Sequence, residues 1–137
     1  MADFHYQPMF DRGPDDTEYR LLTKDHVEVQ ALGDREVLKV DPAALRLLAA
    51  EEIRDVSHLF RASHLRQLRN ILDDPEASDN DRFVAMEMLK NACVSASMVL
   101  PSCQDTGTAI VLGHKGEDVQ TAADDAAWLS HGIHDTY

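Results

Sequence analysis

The sequence predicts an α+β fold: a small antiparallel hairpin, a layer of three to four helices, and a helix–loop–strand unit that carries a cysteine. Three observations predict it. Two alternating runs, His26–Ala31 and Glu36–Val40, flank Leu32-Gly33-Asp34-Arg35, which is hairpin patterning. Apolar residues then recur at helical spacing from Pro42 to about Val99. Finally, Leu100-Pro101 ends that helical region, because proline disfavours helix at the residue before it.

Residues 1–16 are polar, with Pro8, Gly13 and Pro14 as breakers, and read as an extended lead-in whose Phe4, Tyr6 and Phe10 staple onto the domain. Glu18–Thr23 suits a short strand ahead of the hairpin. Asp41-Pro42 starts the first helix, since the carboxylate accepts from exposed amides and proline suits the first helical position. That helix runs over 42–60, with Leu45, Leu48, Glu52, Val56 and Leu59 nearly on one face and Leu47, Ile53 and Phe60 widening it. Ser63 is placed to cap a second helix, His64–Leu72, with Leu65, Leu68, Ile71 and Leu72 inward, and Asp73-Asp74-Pro75 ends it. Ser78 or Asn80 opens a third, running to about Val99, with Phe83, Val84, Met88, Leu89, Ala92, Ala96 and Val99 on its buried side. Thr108–Leu112 is short, apolar and β-branched, as in a buried strand. Residues 119–137 fit a last helix around Trp128, which Gly132 weakens. All 137 residues are read as a single domain without internal repeats.

Composition narrows the function. Hydrophobic content of 44% and charged content of 28% belong to an ordinary globular protein. A formal net charge of −12 argues against nonspecific binding to nucleic acid or an anionic membrane, where Lys and Arg must dominate. It also means that an anionic substrate needs a locally cationic site. The start carries Asp3, His5 and Asp11 rather than a basic region before an apolar core, and no apolar run approaches membrane-spanning length. A reducing cytoplasm is therefore expected, with Cys93 and Cys103 free thiols rather than a disulfide.

The chemistry concentrates in LPSCQDTGTAIVLGHKG, Leu100 to Gly116. Ser102, Cys103, Gln104, Asp105, Thr106 and Gly107 place a soft ligand, an amide, a carboxylate and hydroxyls in consecutive positions. A lone thiol in such a loop is either a small buried residue or a ligand. Thr106 and Thr108 beside Gly107 read as hydroxyls that tie the loop down. Cys93 falls within the third helix and reads as core or half-buried, not as a ligand. His131 and His134, three apart, face one side of the last helix but lack partners to complete a metal set, so a solvated face is expected. His58, His64 and His114-Lys115 read as surface residues, and Asp15-Asp16, Asp73-Asp74 and Asp124-Asp125 as solvated caps and turns.

The string Pro101-Ser102-Cys103-Gln104-Asp105-Thr106-Gly107-Thr108-Ala109 resembles the first cluster-cysteine motif of the iron–sulfur class I fumarases, the fumarate hydratases. Phe4-His5-Tyr6-Gln7, Asp15–Thr23 and Asp74–Asp81 are similar to that family's opening and inter-helix segment, so the resemblance covers nearly the whole chain. It implies a hydro-lyase of the tricarboxylic acid cycle that reversibly hydrates fumarate to malate, working as a homodimer. It implies a 4Fe–4S cluster held by three cysteines, whose open iron acts as a Lewis acid. Cys103 matches the first of those ligands; Gln104 and Asp105 match residues beside the bound dicarboxylate, with Asp105 orienting or trading a proton with the base. Family members are several times longer, and their remaining cluster cysteines correspond to chain beyond Tyr137. The expectation is thus an N-terminal portion of such an enzyme, inactive alone, with an exposed apolar face that promotes oligomerisation. Tartrate dehydratase shares the cysteine–glutamine–aspartate pattern. The other alternative is an acidic helical module that binds a basic partner, with Cys103 merely structural.

Overall fold

A computed structural model of the chain describes residues 5, 18–103 and 108–137. Most of the lead-in, and with it Phe4, Tyr6 and Phe10, lies outside the described residues, as do Gln104, Asp105, Thr106 and Gly107. The elements run β1 (Val27–Leu32), β2 (Arg35–Val40), α1 (Pro42–His58), α2 (Ala62–Asp73), α3 (Asp79–Ser95), β3 (Val119–Thr121) and α4 (Asp125–Thr136). The architecture is α+β, as expected.

The hairpin is antiparallel, with Val27 opposite Val40 and Leu32 opposite Arg35. This register leaves a two-residue turn, Gly33-Asp34. Gly33 has φ +66° and Asp34 does not share the positive φ, which is the pattern of a turn that needs glycine at its first central position. Residues 18–23 form no strand; instead Arg20 reaches across to α1, donating to Asp55 at 3.0 Å and Glu51 at 3.4 Å. With an acidic helix face offered, the segment is tied by side chains rather than by a backbone ladder.

β3 lies parallel to β2, pairing Leu38 with Val119 and Val40 with Thr121. A helix over all of 119–137 is therefore corrected. Val119 and Thr121 are β-branched and take a strand, after which Asp124 accepts from Ala126 N at 3.0 Å and Ala127 N at 3.3 Å and starts α4. The sheet order is β1-β2-β3, so the three intervening helices sit in the crossover between β2 and β3.

Asp41 caps α1 as the sequence requires, its carboxylate accepting from Ala43 N at 2.8 Å ahead of proline. α1 ends at His58. α2 begins earlier than expected: Arg61 stands at its N-cap without a side-chain bond, so Ser63 is not the cap. α3 opens on Ser78, whose hydroxyl accepts from Asp81 N at 3.2 Å while the Asp81 carboxylate accepts from Ser78 N at 2.9 Å. That carboxyl is held below its ordinary range, first by the Ser78 hydroxyl and then by the Ser78 amide. α3 stops at Ser95, short of Val99, as Met98 turns with φ 63° and its N–H donates to Ser95 O at 2.9 Å.

Packing falls into two helix pairs, α1 with α4 and α2 with α3, with slighter contact between α1 and α3. The buried side chains are small: Ala49, Ala85, Ala92 and Ser95, joined by Val37 and Leu68. Several bulky residues expected inward are exposed, namely Leu48, Val56, Leu59, Phe60, Phe83, Val84, Met88 and Val99. Where helices approach closely, small residues occupy the seam, as Ala49 does against Gly132. At Gly132 of α4 an added Cβ would lie 2.8 Å from Ala49 Cβ and 3.0 Å from Ala50 N, and closer still to Arg46 O. Gly132, a defect by helix propensity, is what lets α4 dock. Arg46 and Asp135 lock the same seam from outside, Nη2 donating at 2.9 Å and Nε at 2.5 Å.

Candidate functional site

The site is built on the C-terminus of α1. The last carbonyls of a helix have no partner within it and must find one elsewhere. Here Ser57 O accepts from Ser102 N at 2.8 Å and from the Ser102 hydroxyl at 3.1 Å. His58 O accepts at 2.8 Å from the hydroxyl of Ser95, a fully buried residue of α3. Asn91, one turn earlier on α3, donates through Nδ2 to Ser102 O at 2.7 Å. The residue before Cys103 is thus held by two helices at once. Pro101, just ahead, contributes a fixed φ.

Cys103 is exposed. Its thiol is neither sealed in a core nor paired, and Cys93 is also free. Cys93 is exposed on α3 as well, which corrects its reading as a core or half-buried residue. The seam of α3 is formed by Ala85, Ala92 and Ser95, and the position next to Ala92 points away from it. Gln104 and Asp105, the expected substrate-side residues, lie outside the described residues, as does Thr106. Thr108 is exposed.

The strand expected at Thr108–Leu112 is absent. No described strand pairs with it, and Ile110 and Leu112 are 80% and 77% exposed. An apolar, β-branched run becomes a buried strand only where neighbours exist to cover it, and among the described residues none do. The chain is caught again at Lys115, whose ammonium donates to Thr121 Oγ1 at 3.1 Å and to Asp125 at 2.5 Å. Thr121 in turn donates to Asp125. The Asp125 carboxyl is held below its ordinary range, chiefly by Lys115 and then by Thr121. This cation near the motif is therefore neutralised.

Of the helical histidines, His64, His131 and His134 are exposed and His58 is half-buried. His58 Nδ1 lies 2.8 Å from Arg54 O, His64 stacks on Phe60 at 5.6 Å, and His131 meets Trp128 edge-on at 6.3 Å. His134 is exposed, with Nδ1 3.9 Å from Asp135. Among the described residues no three Cys, His, Asp or Glu side chains converge as a metal site. Cys103 therefore offers a single exposed thiol beside an anchored residue, and among the described residues no complete ligand set surrounds it. Two open grooves of about 440 and 550 Å³, one at the end of the sheet near His26 and Lys39 and one between α2 and α3, do not include Cys103.

Sequence reasoning singles out Cys103 but not Ser57, Asn91 and Ser95, which anchor the backbone ahead of it. Ser102 binds α1 across 45 positions and Ser95 does so across 37, separations at which no local pattern announces a partner.

No helix among the described residues is long and apolar enough to cross a membrane. A family model described as fumarate hydratase (Fumerase) matches residues 47–137. The chain is 50% identical to fumarate hydratase 1, mitochondrial, of Leishmania major, covering 100% of this chain and 26% of that protein. It is also 50% identical to the aerobic class I fumarate hydratase of Escherichia coli K12, over 98% of this chain and 24% of the relative. The anaerobic class I enzyme of the same strain is 48% identical over 98% of this chain and 24% of the relative. The chain thus spans about a quarter of the length of the curated relatives it matches. Half-identity sustained from one end of the chain to the other, with the helices around Cys103 inside the matched region, means that this chain belongs to the fumarate hydratase family.

Proposed function

We propose that these residues form the N-terminal part of an iron–sulfur fumarate hydratase, in which Cys103 is one of three thiolate ligands of a 4Fe–4S cluster. The single observation carrying this is the exposed Cys103 thiol beside a doubly anchored Ser102, in a chain half identical to enzymes named class I fumarate hydratases. When bound, such a cluster supplies a Lewis acid that polarises the substrate. The residues of this chain hold and aim: α1 and α3 fix the backbone entering Cys103, and Lys115 with Asp125 fixes the chain leaving the loop. Gln104 donates from its amide to a substrate carboxylate, and Asp105 orients or exchanges a proton with the base that works at the neighbouring carbon. Fumarate is favoured over tartrate because the relatives described above are all named fumarate hydratases.

The residues described here supply one ligand and a neutralised cation, so the 137 residues alone are inactive in this reading, and the substrate dianion meets its cations on further parts of the enzyme. A homodimer is proposed on the exposed apolar side chains of α1 and α3. A cytoplasmic, reducing location suits two free, exposed thiols.

The test is Cys103→Ser in the complete enzyme after anaerobic reconstitution. Loss of the visible cluster absorbance together with malate-to-fumarate turnover is expected; a variant that keeps both would sink the assignment. Robust turnover from the 137 residues alone would overturn the claim that the site needs more chain.

A further inference from the structure

The geometry points to Asn91 as a positioning residue for the Cys103 thiol, acting through Ser102 and the C-terminal carbonyls of α1; it rests on the reading of Cys103 as a cluster ligand. Asn91 Nδ2 donates to Ser102 O at 2.7 Å, while Ser102 N donates to Ser57 O at 2.8 Å. The two peptide planes that flank the Ser102 Cα are therefore both held, one through its N–H and the next through its carbonyl. Peptide planes are rigid, so fixing the second one fixes the Cys103 nitrogen and Cα. Only the torsions beyond that point remain free to set the sulfur.

The anchors are not loop groups. Ser57 and Asn91 belong to α1 and α3, and Ser95, one turn beyond Asn91, is fully buried with its hydroxyl on His58 O at 2.8 Å. The clamp is therefore welded to the seam between those two helices. An amide is the right side chain for it. The acceptor is a carbonyl oxygen, which demands a donor, and an aspartate there would set a carboxylate against a carbonyl. Metal-site ligands keep their geometry through such supporting hydrogen bonds, and a site loosened by a fraction of an ångström loses affinity.

The test compares Asn91→Asp, which is nearly isosteric but lacks the donor, with Asn91→Gln, which keeps an amide. In the complete enzyme, backbone amide hydrogen exchange is followed at Ser102 and Cys103 and across the helices. Asn91→Asp is expected to speed exchange at Ser102 by about tenfold, the effect of one hydrogen bond, with the α1–α4 amides unchanged and partial recovery in Asn91→Gln. Ser102→Ala, which removes only one of the two bonds to Ser57 O, serves as a second, milder variant with a smaller acceleration. In the reconstituted complete enzyme, the electron paramagnetic resonance signal of the reduced cluster broadens in Asn91→Asp and returns in Asn91→Gln. Unchanged exchange at Ser102, a uniform rise throughout all four helices, or an unaltered cluster signal overturns the positioning role alone. A cluster signal that survives Cys103→Ser overturns the ligand reading, and the positioning role with it, even where Ser102 exchange responds.

Discussion

Lys115, Thr121 and Asp125 show how a single side chain can close a loop. The ammonium bridges the end of the cysteine segment to both β3 and the first turn of α4. Because the Asp125 carboxyl sits low chiefly on account of Lys115, Lys115→Met is expected to move its titration up toward the ordinary carboxylate range, read by carboxyl chemical shifts against pH. Gly132 makes the opposite point about size. Alanine gains about 1 kcal/mol of helix propensity, but its methyl must enter the space held by backbone atoms of α1, which cannot swing aside. Overpacking of this kind costs about 1–3 kcal/mol or more. Gly132→Ala is therefore expected to lower the urea midpoint despite the better helix former, and a raised midpoint would refute the close approach.

At the scale of the element, three of the helix starts follow local rules, whereas the end of α1 draws on tertiary partners. Asp41, Ser78 and Asp124 each cap the helix that follows, using bonds within three residues. Ser78→Ala removes one half of the reciprocal pair with Asp81 and should cost about 1 kcal/mol, measured by chemical denaturation and by faster exchange confined to the first turn of α3. Ends differ: α1 finishes where Ser102 and Ser95 supply donors from far along the chain. The expected strand Thr108–Leu112 illustrates the same dependence. Its composition is right for a strand, but a ladder needs a neighbour.

For the whole molecule, the net charge of −12 and three low-lying carboxyls set the response to acid. Asp81, Asp125 and Asp135 titrate lower folded than unfolded, held by Ser78, Lys115 and Arg46 respectively. A depressed folded pKa gives stability that is fully present above the unfolded value, near 4 for a carboxylate, and is lost as pH falls through the folded one. Thermal stability should thus hold from neutrality down to about pH 5 and decline below about pH 4. A midpoint that rises on acidification through this window would contradict the three assignments. The exposed apolar residues of α1 and α3 work in the other direction, favouring association as repulsion between carboxylates fades.

The sequence by itself determined the elements whose causes are local: the hairpin with its glycine turn, the helix starts at Asp41 and Ser78, and the exit at Pro101 that precedes Cys103. It also carried the family, because the cysteine–glutamine–aspartate string is a matter of residue identity rather than of contact. Only the tertiary structure decided which faces are buried. Apolar positions at helical spacing pointed to Leu, Val and Phe, yet α1 meets α4 at Ala49 and Gly132, and α3 hides Ala85, Ala92 and Ser95. The physical reason is that periodicity reports which residues lie on one side of a helix, whereas burial depends on how closely another backbone can come. The same limit hid Asn91 and Ser57, whose hydrogen bonds to Ser102 exist only once the chain has brought two helices to the threshold of the cysteine.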